Sequence, residues 1–146
     1  MSYNDLLHLY FDRSNSLQWY WTIYVVVIGG LLAFSSLRQR PDHRTAILVT
    51  VLYCFFAYKN LGAIHDVTEQ RFAIYNTIRS VPPNPTNSDS SAMLLHSALE
   101  PTLQPPEYAG ATGVRNFHVA TDVLVVLALW AMERRRLRAA TLAQPV

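Results

Sequence analysis

Polar side chains inside otherwise apolar stretches are the residues of this sequence that could do chemistry. Lys59, Asn60 and Asp66 lie in or just after the second apolar run, and Asp122 lies in the third. Charged groups are costly in hydrocarbon, so those found there usually pair with one another or mark an ion or proton path. Counted along helices, Lys59 and Asp122 reach similar depths. We predict an intramembrane polar cluster of these four residues with a Lys59–Asp122 ion pair. The alternative is that Lys59 extends to the lipid headgroups and Asp122 faces water or another subunit.

Histidine and carboxylate residues recur at a helical spacing, which places two side chains on one helix face. Imidazole and carboxylate together ligate transition metals. The predicted metal ligands, at similar depth on neighbouring helices, are His65, Glu69, His118 and Asp122. The two histidines could instead hold a haem axially. The same spacing is typical of ordinary helix-surface pairs, so a purely structural role stays open. Four of the five histidines follow the pattern: His8/Asp12, His65/Glu69, His96/Glu100 and His118/Asp122.

Three apolar runs must position these groups. They cover about residues 17–37, 45–64 and 117–133. A helix needs about 20 mostly apolar residues to cross roughly 30 Å of hydrocarbon. The sequence therefore predicts an all-α integral membrane protein, a single membrane domain with three transmembrane helices.

The segments outside the runs also carry helical patterns. Residues 4–14 predict an amphipathic helix that lies at the membrane surface or leads into the first span. The second helix should continue to about residue 79, because residues 65–80 contain no Gly or Pro. A short helix is predicted near 90–99. The extracytoplasmic segment 67–116 is too short to be expected to form an independent domain.

Arginine distribution predicts the orientation. Seven of the twelve basic residues lie on one side of a three-span arrangement. Because cytoplasmic loops are enriched in Lys and Arg, that side should be cytoplasmic, with the N-terminus outside and the C-terminus inside. These residues are Arg38, Arg40 and Arg44 between the first two runs and Arg134, Arg135, Arg136 and Arg138 after the third.

Small residues at helical spacing predict close helix packing. Gly29, Ala33 and Ser36 form one stripe of the first span, and Gly62 lies on the second helix. Small side chains let helix backbones approach closely in a membrane. The sequence thus favours contacts with other membrane helices.

These patterns favour a non-enzymatic role. We predict a small subunit of a homo-oligomer or larger membrane complex, which packs through its helices and presents an outer-face cap. In its channel-like form Lys59, Asn60 and Asp122 would line an ion path. The second hypothesis is a metal- or haem-binding redox protein at the outer face. An enzyme that uses the polar cluster on a lipid-soluble substrate is the third, but CxxC, HExxH and GxSxG signatures are absent. The expected partners are the lipid bilayer and other helices, not nucleic acid, because topology accounts for the basic residues.

Overall fold

Three long helices make up the structure. The computed structural model describes residues 3–80, Leu103 and 110–142. Helix α1 covers Tyr3–Leu37, α2 covers His43–Ser80 and α3 covers Ala111–Leu142. Each is long and apolar enough to cross a membrane, as the sequence predicts. They run up, down and up: α2 is antiparallel to both neighbours, and all three pairs of helices are in contact.

The predicted amphipathic segment 4–14 is the first part of α1 and leads directly into the first apolar run. No Gly or Pro precedes Gly29, so nothing breaks the helix. Its 35 residues extend about 52 Å, well beyond the roughly 30 Å of a bilayer core. The additional length packs on the far end of α2: the cluster consists of Leu6, Tyr10, Tyr75, Ile78 and Leu103. The Tyr10 hydroxyl donates a hydrogen bond to the Leu103 carbonyl at 2.7 Å.

Helix α2 is the predicted long helix, 38 residues from His43 to Ser80. The predicted short helix near 90–99 lies outside the described residues, as does much of 67–116. Helix α3 is longer than the predicted span 117–133. It continues through the arginine-rich segment to Leu142, because that segment consists mainly of good helix formers.

An apolar layer fills the middle of the bundle. Tyr53 and Ala57 of α2 pack against Val125 and Leu129 of α3. Helix α1 adds partly buried aliphatic side chains to this layer: Val27, Ile28, Leu31 and Leu32. The layer therefore joins all three helices between the two polar clusters described below.

Asp42 fixes the start of α2. Its carboxylate accepts hydrogen bonds from the amide of Arg44 at 3.0 Å and from the amide and hydroxyl of Thr45. An aspartate at this position satisfies amide groups that have no partner within the helix. The hydrogen bonds from Thr45, and then that from Arg44, lower the pKa of Asp42 below its usual value.

Candidate functional site

Five polar side chains from all three helices meet inside the bundle. This Asp122 cluster comprises Tyr24 of α1, Tyr53 and Asn60 of α2, and His118 and Asp122 of α3. His118 is fully buried, and Tyr24, Tyr53 and Asn60 are each buried as well. Helical spacing sets up the meeting, because residues four or seven apart share one helix face.

The Asp122 carboxylate is the hub of the cluster. Its Oδ1 accepts hydrogen bonds from the hydroxyls of Tyr24 at 2.8 Å and Tyr53 at 2.7 Å. Its Oδ2 lies 2.8 Å from His118 Nδ1, and the other ring nitrogen lies 3.2 Å from Asn60 Nδ2. The Asn60 NH2 group can only donate, so Nε2 of His118 accepts this hydrogen bond. Nδ1 therefore carries the imidazole proton and donates a hydrogen bond to Asp122. Three donors thus converge on one carboxylate, and hydrogen bonds to a carboxylate are among the stronger ones in proteins.

Aromatic rings enclose the imidazole of His118. The Tyr24 ring centroid lies 4.1 Å from the His118 centroid, and that of Trp21 lies 5.9 Å away. Trp21 also contacts Phe117 edge-on, with 5.9 Å between centroids. These rings shield the His118 imidazole from solvent. Its hydrogen bonds therefore form at low dielectric, where each is stronger than it would be in water.

Only part of the predicted polar cluster comes together. Asn60 and Asp122 share the buried network, whereas Lys59 and Asp66 are exposed. Among the described residues, the side chains bonded to the Asp122 carboxylate are those of Tyr24, Tyr53 and His118, so the predicted Lys59–Asp122 ion pair is not formed there. One residue along a helix is a turn of 100°, so Lys59 points outward when Asn60 points inward.

The four predicted metal ligands lie in two separate pairs. His65 and Glu69 are 3.6 Å apart on the exposed side of α2, whereas His118 and Asp122 belong to the buried cluster. Across residues 3–80, Leu103 and 110–142, no three His, Cys, Asp or Glu side chains are placed to hold one metal ion. Both ring nitrogens of His118 are already occupied by protein partners.

The small residues predicted to promote packing all face outward. Gly29, Ala33, Ser36 and Gly62 are exposed, and a Cβ atom built on either glycine would meet nothing within 4 Å. The three helices therefore pack through other faces, and the stripe on α1 has no partner within the described chain.

A second polar cluster ties the far end of α3 to the α1–α2 link. In this Glu133 cluster, Glu133 is 1% exposed. Its Oε1 accepts the Asp42 amide hydrogen at 2.6 Å, and its Oε2 accepts from Arg136 Nη1 at 2.9 Å. Arg38 Nη2 lies 4.0 Å from the same oxygen, and Arg136 Nε donates to the Arg38 carbonyl at 2.7 Å. The only sequence signal was an acid followed three residues later by arginine at the end of an apolar run.

One face of the Asp122 cluster is open to the surroundings. A groove of about 380 Å³ lies between α2 and α3 and is lined mostly by apolar side chains, with Tyr53 and Asp122 among them. The Asp122 side chain is 20% exposed, in contrast to fully buried His118. Asp122 is thus the most accessible member of the cluster.

Comparison of the chain with models of protein families, with curated proteins and with solved structures found no match.

Proposed function

We propose that this protein is a multi-pass membrane subunit that acts by packing against other membrane helices. The observation that carries the proposal is the open small-residue stripe on α1. The three-helix unit is held by its two polar clusters and an apolar layer, so it forms without using that stripe. The stripe remains available to a further helix.

The small-residue stripe lies on the side of α1 that faces away from α2 and α3. Tyr24 and Ser35 are buried toward α2 and α3, together with larger aliphatic residues. Gly29, Ala33 and Ser36 recur at intervals of four and three residues on an exposed face, so they form one continuous stripe. Small residues in membrane helices are enriched where another helix approaches closely. We take a second copy of the chain as the first partner to test.

Two other functions receive less support from the geometry. An ion path would need Lys59 and Asn60 on one surface, but Lys59 points outward and Asn60 into the unit. A metal or haem site built from His65 and His118 would need both on one surface too, and they belong to separate pairs.

Replacing Gly29 and Ala33 together by Leu should weaken self-association at least tenfold, equivalent to about 1.4 kcal/mol. The larger side chains would hold the partner helix away from α1. Association is measured by single-molecule photobleaching in liposomes over a range of protein-to-lipid ratios. The matched control is Ala120→Leu, an exposed position on α3, which should associate like the wild type. A wild-type chain that stays monomeric at all ratios would contradict self-association through this stripe.

The arginine distribution supports the orientation with the N-terminus outside and the C-terminus in the cytoplasm. Two reporter enzymes fused after Val146 test this orientation, one that is active only in the cytoplasm and one that is active only after export. Only the cytoplasmic reporter should be active. The opposite pattern, with activity only from a reporter that requires export, would overturn this orientation.

A further inference from the structure

We propose that the carboxyl-terminal half of α3 binds the headgroup of an anionic phospholipid. The site is a groove of about 560 Å³, called here the arginine groove. It is lined by Leu127, Trp130, Ala131, Arg134, Arg135 and Arg138. It shares only Leu127 with the groove beside Asp122, and none of its residues belongs to the α1 stripe, so the inference does not depend on self-association.

The charges that line the groove are available to a ligand. Of the four arginines in this part of α3, Arg136 is turned inward, where it binds Glu133 and the Arg38 carbonyl. The other three line the groove, and no carboxylate is among the described residues that line it. Arg134, Arg135 and Arg138 thus place up to three positive charges around one open volume. Guanidinium groups suit phosphate oxygens because they can donate two parallel hydrogen bonds.

The groove also has the polarity gradient of a lipid. Leu127, Ala131, Arg134 and Arg138 recur at intervals of four, three and four residues, so they form one stripe along α3. The stripe is about 16 Å long, and it changes from apolar to basic along its length. Ala131 leaves room at the middle, and Trp130 is of the type that favours the membrane interface. This arrangement fits an acyl chain followed by a phosphodiester, which is why we assign the site to a lipid and not to free phosphate.

Native mass spectrometry of the full chain in mild detergent tests the site. Phosphatidylglycerol and phosphatidylcholine are titrated in parallel, and bound lipids are counted per chain. We expect one phosphatidylglycerol per chain, bound at least tenfold more tightly than phosphatidylcholine. The double variant Arg134→Gln/Arg138→Gln should lose at least tenfold in affinity. The control Arg40→Gln/Arg44→Gln removes the same charge from exposed positions near the start of α2 and should keep wild-type affinity.

A second variant distinguishes lipid binding in the arginine groove from non-specific attraction between charges. Ala131→Phe fills the middle of the groove and leaves every charge in place, so it should also reduce phosphatidylglycerol binding. Circular dichroism of each variant should match the wild type, because all the substituted positions are exposed. Equal losses in the two arginine pairs would overturn the site and leave only charge attraction. Wild-type binding by Ala131→Phe, or full displacement by millimolar inorganic phosphate, would overturn it as a lipid groove.

Discussion

Asp122→Ala is expected to lower the free energy of unfolding by about 2–5 kcal/mol. The substitution leaves the Tyr53 hydroxyl and the Nδ1–H of His118 without their acceptor, and it leaves the Tyr24 hydroxyl with only the His118 carbonyl at 3.4 Å. Hydrogen bonds between membrane helices average about 0.6 kcal/mol each, so the loss of three bonds accounts for the lower value of about 2 kcal/mol. Buried donors left unpaired cost about 1–3 kcal/mol each, and this penalty accounts for the upper value of the expected destabilisation. Unfolding in mixed micelles with increasing dodecyl sulfate, followed by circular dichroism, measures the difference.

Two further variants test whether the loss comes from the network. Asp122→Asn should lose less than Asp122→Ala, because the amide oxygen still accepts from Tyr24 and Tyr53 although its NH2 group faces the Nδ1–H of His118. Asp66→Ala serves as the matched control, since the Asp66 side chain is 74% exposed. Its effect should stay within about 0.5 kcal/mol of the wild type. Equal unfolding curves for Asp122→Ala and Asp66→Ala would contradict the structural importance of the cluster.

The two polar clusters explain how a bundle of only three described helices keeps α3 in a defined register with α2. Along α3, His118 and Glu133 are fifteen residues apart, or about 22 Å. His118 contacts Asn60 of α2, and Glu133 accepts a hydrogen bond from the Asp42 amide just before α2. Apolar helices in lipid gain little from the hydrophobic effect when they associate, so packing and hydrogen bonds must orient them. Polar contacts at two levels, with an apolar layer between them, prevent α3 from sliding along α2. The unit can then present its outward faces in fixed positions.

The helices could be predicted from the sequence because their signal is strong and local. A run of about 20 apolar residues has few alternatives to a membrane helix. The lack of Gly or Pro in residues 65–80 correctly predicted that α2 extends to the region of Arg79. The ends were harder to predict. The predicted third span ended with its apolar run, but α3 continues through its arginines to Leu142, because charged residues end an apolar run without ending a helix.

The Asp122 cluster could be predicted only in part. The spacing of His118 and Asp122 indicated that the two side chains interact, and this is observed at 2.8 Å. Tyr24 and Tyr53 were missed because a tyrosine in an apolar run is equally suited to the bundle interior, the lipid interface or a partner helix. Which face of a helix is buried depends on its neighbours, and that is why Asn60, and not Lys59, joined the network.

Glu133→Ala is expected to lower the free energy of unfolding by about 3 kcal/mol. Removing one partner of a buried ion pair leaves the other charge uncompensated, which typically destabilises by about 3–5 kcal/mol. Arg136 and Arg38 keep 11% and 17% of their side-chain surface exposed, so water offsets part of the loss and places the effect at the lower end. The Asp42 amide at the start of α2 also loses its acceptor. The same dodecyl sulfate titration measures the change.

Glu69→Ala is the matched control for Glu133→Ala. The Glu69 side chain is 63% exposed and faces His65 at 3.6 Å, so its removal should change stability by less than about 1 kcal/mol. Glu133→Gln should fall between the two, because the amide oxygen can still accept the Asp42 amide hydrogen while the charge opposite Arg136 is gone. A Glu133→Gln variant as unstable as Glu133→Ala would assign most of the effect to the charge. Wild-type stability in Glu133→Ala would mean that this cluster does not hold α3 against the α1–α2 link.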